Sequence, residues 1–131
     1  MKYLLDTNIC VYWLKGNEHI EQKVLSVGID TISISFINVS ELYYGAYKSQ
    51  RVDQNLAIIR RLTERLYVVE SDEAISEAFG SLKASLENAG MIIDDADIYI
   101  AACARVYGLT LVTNNTKHFR RLKGLKLDNW M

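Results

Sequence analysis

Three acidic residues lying far apart in the chain, Asp6, Glu41 and Asp97, each stand where an apolar pattern ends or turns outward, and that shared placement suggests a single metal site. Asp6 follows Tyr3-Leu4-Leu5 and precedes Thr7-Asn8, the pattern of a buried strand ending at its carboxyl edge. Open α/β sheets bind their ligands at that edge. Glu41 lies in the helical stretch Ser40-Glu41-Leu42-Tyr43-Tyr44-Gly45, and Asp97 lies in Asp94-Asp95-Ala96-Asp97-Ile98, where another helix begins. Carboxylates drawn together repel one another unless a cation joins them, and oxygen donors suit a hard divalent ion such as Mg²⁺ or Mn²⁺. Each acid also has a plainer reading. Asp6-Thr7-Asn8 would serve as a turn or cap, and Asp94, Asp95 and Asp97 as first-turn acids complementing a helix dipole at about 0.3–1 kcal/mol each. Their joint occurrence in a chain of 131 residues favours the shared site.

A fourth segment points to the same edge. After the apolar run at 109–112 comes Thr113-Asn114-Asn115-Thr116-Lys117-His118-Phe119. If the strands are parallel, Thr113 and Asn115 emerge beside Asp6, where they could orient a metal-bound water or a scissile phosphate. A helix cap at Asn115 or Thr116 is an equal reading. His118 reads first as a partly buried surface residue, with a weak ligand or a phosphate contact as the other readings. Gly45, four residues after Glu41 on the same helical face, would admit a close neighbour near the carboxylate. Tyr43, Tyr44 and Tyr47 could stack on bases, but their spacing fits a core or a partner interface better.

The elements that must position these residues alternate between strand and helix, without repeats, low-complexity tracts or a linker, which is the habit of an α/β fold with a mainly parallel sheet. Strands are expected at 2–5, 31–35, 66–69, 109–113 and 125–127. Helices are expected at 8–15, 20–26, 39–49, 54–65, 73–89, 96–107 and 116–122. Ser71 and Asp72 suit an N-cap, and Gly90 and Gly108 suit the position just past a helix end. Ile100, Ala101, Ala102 and Ala104 form a small or branched face that lets a helix lie close to the sheet. Half of the residues are hydrophobic, enough for the core of one domain spanning 1–131.

Composition narrows the function further. Met1 leads at once into a strand with no secretory signal pattern, and the most apolar stretch, 98–112, is interrupted by Arg105 and Gly108, so a cytoplasmic protein without a membrane span is expected. Cys10 and Cys103 lie among apolar residues, with no second Cys or His at ligand spacing, and read as small buried hydrophobes. The net charge of −1 provides no long-range basic field for nucleic acid. Charge is uneven, however: Lys117, Arg120, Arg121, Lys123 and Lys126 face only Asp128 in 117–131, a basic tail that could hold phosphates or simply be solvated.

Taken in order, Leu4-Leu5-Asp6-Thr7-Asn8, the helix around Glu41 to Gly45, Asp97-Ile98-Tyr99-Ile100-Ala101-Ala102, Thr113-Asn114-Asn115 through Phe119, Gly124-Leu125 and Asn129-Trp130 resemble the PIN-domain toxins called VapC. The resemblance covers essentially the whole chain. It implies a PIN-domain-like α/β/α sandwich around a mainly parallel sheet, Mg²⁺- or Mn²⁺-dependent endoribonuclease activity on structured RNA such as tRNA or rRNA, a VapB-like antitoxin partner and a homodimer. It makes Asp6, Glu41 and Asp97 the acidic metal cluster and places Thr113 and Asn115 beside it. One position departs: many family members carry an acid directly before the motif's Phe, and here His118 stands there. Asp94 or Asp95 would then be the candidates to compensate. The chemistry implied is phosphodiester hydrolysis by metal-activated water, with the carboxylates positioning metal and Asp6 or Asp97 also able to accept a proton.

Two other classes fit less well. A phosphatase of the haloacid-dehalogenase type also begins from an Asp after its first strand, but its second Asp two residues on is Asn8 here, and Asp94 to Asp97 precede Lys117 rather than follow it. Phosphoenzyme trapping separates that class. A receiver-like module wants an acidic pair early in the chain, where Asp6 stands alone. A non-catalytic, partner-binding domain would have no need of all three acids.

Overall fold

The computed structural model describes residues 1–131. Five strands, β1 (Tyr3–Leu5), β2 (Ile32–Ser35), β3 (Tyr67–Val69), β4 (Thr110–Val112) and β5 (Lys126–Asp128), form one sheet in the order β3-β2-β1-β4-β5. Every pairing is parallel, with Tyr3 opposite both Ile32 and Thr110, and Leu5 opposite Val112. Seven helices make the crossovers and flanks: α1 (Thr7–Leu14), α2 (Glu18–Val27), α3 (Phe36–Lys48), α4 (Val52–Arg65), α5 (Glu73–Asn88), α6 (Asp95–Val106) and α7 (Thr116–Phe119).

The sheet separates two cores because successive strand side chains point to opposite faces. On β1 and β4, Leu4 and Leu111 join a core with α5, α6 and α7, while Leu5 and Val112 join a second core with α1 to α4. β2 is asymmetric: Ile32 and Ile34 enter the second core, whereas Ser33 and Ser35, both fully buried, face the other way. Ser33 is satisfied there by donating its hydroxyl to the Tyr3 carbonyl at 2.8 Å. All of Ile100 to Ala104 is buried, so the small-residue face read from the sequence is indeed packing surface between the sheet and α5. Trp130 closes the second core, edge-on to Tyr3 at 5.2 Å, with its indole N–H donated to Asp128 at 3.1 Å.

The boundaries differ from expectation where caps intervene. α3 begins at Phe36, three residues early, because Ser35 and Asn38 form a reciprocal capping box that makes Phe36-Ile37-Asn38 a first turn. α7 ends at Phe119 rather than at 122, since Leu122 N–H turns back to the Phe119 carbonyl in a tight turn that buries both side chains. Asp72 is the N-cap of α5 as expected, its carboxylate accepting from Ile75 N–H at 2.8 Å. Gly108, at φ +65°, ends α6 in the left-handed region that favours glycine.

For the site the decisive feature is topological. The chain winds outward from β1 to β3, then returns to add β4 and β5 on the other side of β1. The crevice at such a reversal, outside the carboxyl ends of β1 and β4, is where open α/β sheets bind ligands.

Candidate active site

Asp6 and Thr113 each follow directly from the two strands that flank the reversal. The Thr113 hydroxyl, fully buried, donates to Asp6 Oδ2 at 2.8 Å and accepts from Asn115 N–H at 3.0 Å. Asp6 Oδ1 accepts from Thr7 N–H at 2.9 Å, which caps α1. The carboxylate is thereby fixed at both oxygens while keeping further lone pairs for a ligand.

Glu41 projects from the second turn of α3 and is held by a relay the sequence reading missed. The Thr7 hydroxyl donates to Glu41 Oε1 at 2.6 Å and accepts from Asn38 Nδ2 at 2.9 Å. Asn38 is fully buried, and its carbonyl oxygen accepts from the Ser35 N–H and hydroxyl at 2.8 and 2.7 Å. The capping box of α3 therefore also orients the acid one turn later. A polar residue at the third position of a Ser-x-x-Asn start was the available signal, but Asn is a less familiar partner there than Glu or Gln.

Asp97, in the first turn of α6, meets His118 of α7, whose Nε2 lies 3.0 Å from Asp97 Oδ2. Arg121 Nη2 lies 3.1 Å from the other ring nitrogen, Nδ1. Arginine offers only donors, so Nδ1 must accept and the Nε2–H tautomer satisfies both contacts. His118 is partly buried as read, yet its ring belongs to the site rather than to the general surface. Of the two candidates to compensate for it, Asp95 pairs with Lys83 at 2.9 Å, and Asp94 is exposed at the N-cap position of α6. Asn115 stands exposed at the N-cap position of α7 with no side-chain cap bond, and it reaches Thr113 through its backbone N–H. Gly45 has no close neighbour; it opens onto a groove instead.

The electrostatics connect the three acids. Burial holds the Asp6 carboxyl above the usual carboxylate range against hydrogen bonds from Thr113 and Thr7, and the charge of Asp97 pushes it further up. Burial likewise raises Glu41, with the Thr7 hydrogen bond opposing and the charges of Asp6 and Asp97 adding. No three Asp, Glu, His or Cys side chains form a group that could hold a metal ion as they stand. An all-oxygen set of mutually repelling carboxylates nonetheless fits a hard ion that keeps much of its water and takes only a few protein ligands. Asp6, Glu41 and Asp97 are the residues that would hold it.

A stability consequence follows from Asp6. A carboxyl raised in the folded state binds more protons folded than unfolded, so stability falls as pH climbs from the ordinary value to the folded one, and the penalty is complete above both. Asn keeps the α1 cap and a partner for Thr113 while removing the charge. In EDTA at neutral pH, Asp6→Asn should melt higher than the parent chain, and the gap should close as pH drops below the ordinary carboxylate range. Mg²⁺ should raise the melting temperature of the parent chain and leave that of the variant unmoved. A lower melting temperature for the variant in EDTA would mean that Asp6 is no electrostatic burden.

From Glu41 a groove of about 370 Å³ runs between α1, α3 and α4, lined among others by Leu14, Leu42, Gly45 and Ile58. Tyr43 is half-buried against the second core, whereas Tyr44 and Tyr47 are exposed on α3. Cys10 and Cys103 are buried and free, and burial pushes both thiols up, so neither offers reactive chemistry.

Comparison with known proteins gives the family. The PIN domain family model matches residues 3–125. The chain is 38% identical to Ribonuclease VapC2 of Haemophilus influenzae strain Rd over 131 residues, covering 100% of this chain and 99% of that protein. It is 36% identical over 130 residues to the tRNA(fMet)-specific endonuclease VapC of Shigella flexneri, covering 99% and 98%. Among solved structures, it is similar to VapBC2 from Rickettsia felis bound to a promoter DNA fragment, with a TM-score of 0.93, 38% identity and full coverage of both chains.

Proposed function

Because this chain belongs to the PIN-domain family, and within it to the VapC ribonucleases, we propose that the edge formed by Asp6, Glu41, Asp97, Thr113 and Asn115 hydrolyses phosphodiester bonds of structured RNA with a divalent cation, as the toxin of a toxin–antitoxin pair. The observation that carries the reading is the convergence of two strand ends and two helices on Asp6, whose carboxyl is raised by burial and by its acidic neighbour. The relative from Shigella flexneri is specific for tRNA(fMet), and a tRNA is the first substrate to test.

When bound, Mg²⁺ or Mn²⁺ supplies a water of lowered pKa and offsets charge developing on the phosphate. The chain's own contribution is positional. Thr113 fixes Asp6, the Ser35-Asn38-Thr7 relay fixes Glu41, and His118 turns Asp97. Purified protein incubated with total RNA should cut at discrete sites with Mg²⁺ or Mn²⁺ and leave the RNA intact in EDTA, with the new ends mapped by sequencing. A phosphoenzyme trapped on a phosphomonoester, with no RNA cut, would favour the phosphatase alternative.

His118 occupies the place where a fourth acid would add a ligand. His118→Asp would bring a second carboxylate against Asp97, so Mn²⁺ should bind more tightly by calorimetry, with the fold intact. Unchanged affinity would place this position outside the metal-binding set.

Regulation belongs to the same reading. A partner encoded next to this chain, with a DNA-binding head and a tail of apolar anchors and a basic residue, would lay that tail in the groove between α1, α3 and α4. Its Arg or Lys would pair with Glu41 and compete with metal for the same oxygens. Solved VapBC structures of relatives from Rickettsia felis, Salmonella typhimurium and Haemophilus influenzae support such a partner. A homodimer and a cytoplasmic location complete the proposal; no helix is long and apolar enough to cross a membrane.

A further inference from the structure

A nuclease whose reacting edge is lined by Asp6, Glu41 and Asp97, in a chain of net charge −1, must draw a polyanion toward negative charge. The attraction has to come from cations placed nearby. One concavity of about 290 Å³, between α5, the end of α6 and the turn after α7, is lined by Arg105, Arg121 and Lys123 together with the hydroxyls of Ser81 and Ser85, and no carboxylate is among its lining residues. The only ion pairs in the chain are Lys83–Asp95 and His118–Asp97, so all three of these cations are free of acidic partners. Glu73 and Glu77 flank Arg105 in the adjoining hollow, yet neither pairs with it.

This concavity is physically joined to the carboxylates. Arg121 Nε donates to the His118 carbonyl at 3.3 Å, and Arg121 Nη2 to the His118 ring at 3.1 Å, while the opposite side of that ring holds Asp97 at 3.0 Å. Arg121 is thus oriented by a residue of the reacting edge and shared with the basic concavity. A fork of guanidiniums with an ammonium and two hydroxyls matches the oxygens of a phosphate. The other half of the lining is apolar, including Leu86 and Leu122.

We propose that this concavity is an RNA subsite, holding a backbone phosphate of the substrate on Arg105, Arg121 and Lys123 at a nucleotide away from the bond that is cut. The inference rests on the ribonuclease reading and adds to it a place where affinity for long RNA resides. Tight binding then depends on RNA that extends beyond the cleavage edge, and a fragment too short to span from Asp97 past His118 can occupy these cations or the edge but not both.

The test is binding by the full chain in EDTA, where RNA stays uncut, using unfractionated tRNA and a tetranucleotide as probes. The double variant Arg105→Gln, Lys123→Gln removes two exposed charges outside the carboxylate edge, and circular dichroism verifies its fold. For tRNA, its dissociation constant should rise about tenfold, and the slope of log K against log salt should become shallower by up to about 0.9, the contribution of one neutralised phosphate. The tetranucleotide, which can occupy only one of the two places, should bind the parent chain far more weakly than tRNA does, and Arg105→Lys, Lys123→Arg should restore most of the tRNA affinity. Unchanged tRNA affinity and slope overturn the proposal. So does an equal loss of tRNA affinity in a control double variant at exposed cations elsewhere, Lys23→Gln, Arg60→Gln, which would indicate a diffuse field effect. If inorganic phosphate shifts the Arg105 Nε–H resonance while tRNA affinity ignores the double variant, the concavity is a small-anion site and the RNA assignment fails. Loss of metal-dependent cleavage with these binding results intact would count against the nuclease reading alone.

Discussion

Asp97→Asn should lower the rate of RNA cleavage by at least about a hundredfold, because even outer partners of metal ligands cost about 10–100-fold when lost. The substitution keeps the size and shape of the side chain. His118 Nε2–H still has an oxygen to donate to at the position now 3.0 Å away, and α6 loses only one first-turn acid, a cost of about 0.3–1 kcal/mol at most. What disappears is one of the three charges that would hold a hard cation, and the one that raises the carboxyls of both Asp6 and Glu41. Initial rates on tRNA, measured beside a melting curve, separate the two effects: activity should collapse while the melting temperature moves little. Asp6→Asn and Glu41→Gln should behave alike in activity. Full activity in Asp97→Asn, or in the parent chain with excess EDTA, would sink the metallonuclease reading.

The parts of this site that were legible in the sequence share a physical property: each lies where an apolar period breaks. Asp6 ends Tyr3-Leu4-Leu5, Thr113 ends the run through Val112, and Asp97 opens a helix whose next seven residues are mostly buried. A break in a strong hydrophobic pattern fixes both the element and its end, and a parallel sheet then brings the strand ends to one edge. The supporting residues carry no such mark. Thr7 and Asn38 are 31 residues apart, and their hydrogen bond exists only because β1 and β2 are neighbours, which sets the start of α1 against the start of α3. His118 is similar, since its role depends on α7 turning back over the first turn of α6. Local pattern read Asn115 equally as a group beside Asp6 and as a helix cap, and Asn115 stands at the N-cap position of α7 with its side chain exposed. The basic residues of 117–126 were visible as a composition bias, but which of them share a concavity with Arg105 depends on the turn after Phe119, where the expected last helical turn is replaced by tighter hydrogen bonding.

Ile58→Lys should free the ribonuclease from its partner without touching its chemistry. Ile58 on α4 and Leu14 on α1 each keep 38% of their surface exposed while lining the groove that ends at Glu41. That much apolar area facing an open channel is costly to leave in water, at about 25 cal/mol per Å², and an amphipathic partner helix would cover it. A lysine at 58 would put an unpaired ammonium into the covered interface. Central interface positions of this kind cost about 2–4 kcal/mol when disrupted, which is roughly 30- to 1,000-fold in affinity. The residue stands 38% exposed on α4 and is not one of the carboxylates at the reacting edge, so Lys is tolerated in the free protein and cleavage of tRNA should match that of the parent chain. Co-expression of the neighbouring protein should then fail to restore growth, and the two chains should no longer purify together. A Glu41→Gln chain, inactive and so safe to express, gives the matching measurement of the second contact. It should retain the apolar docking but lose the pairing of its carboxylate with the partner's basic residue, weakening the complex less than Ile58→Lys does. If the partner binds and silences the Ile58→Lys chain as tightly as the parent, the groove between α1, α3 and α4 is not where inhibition occurs.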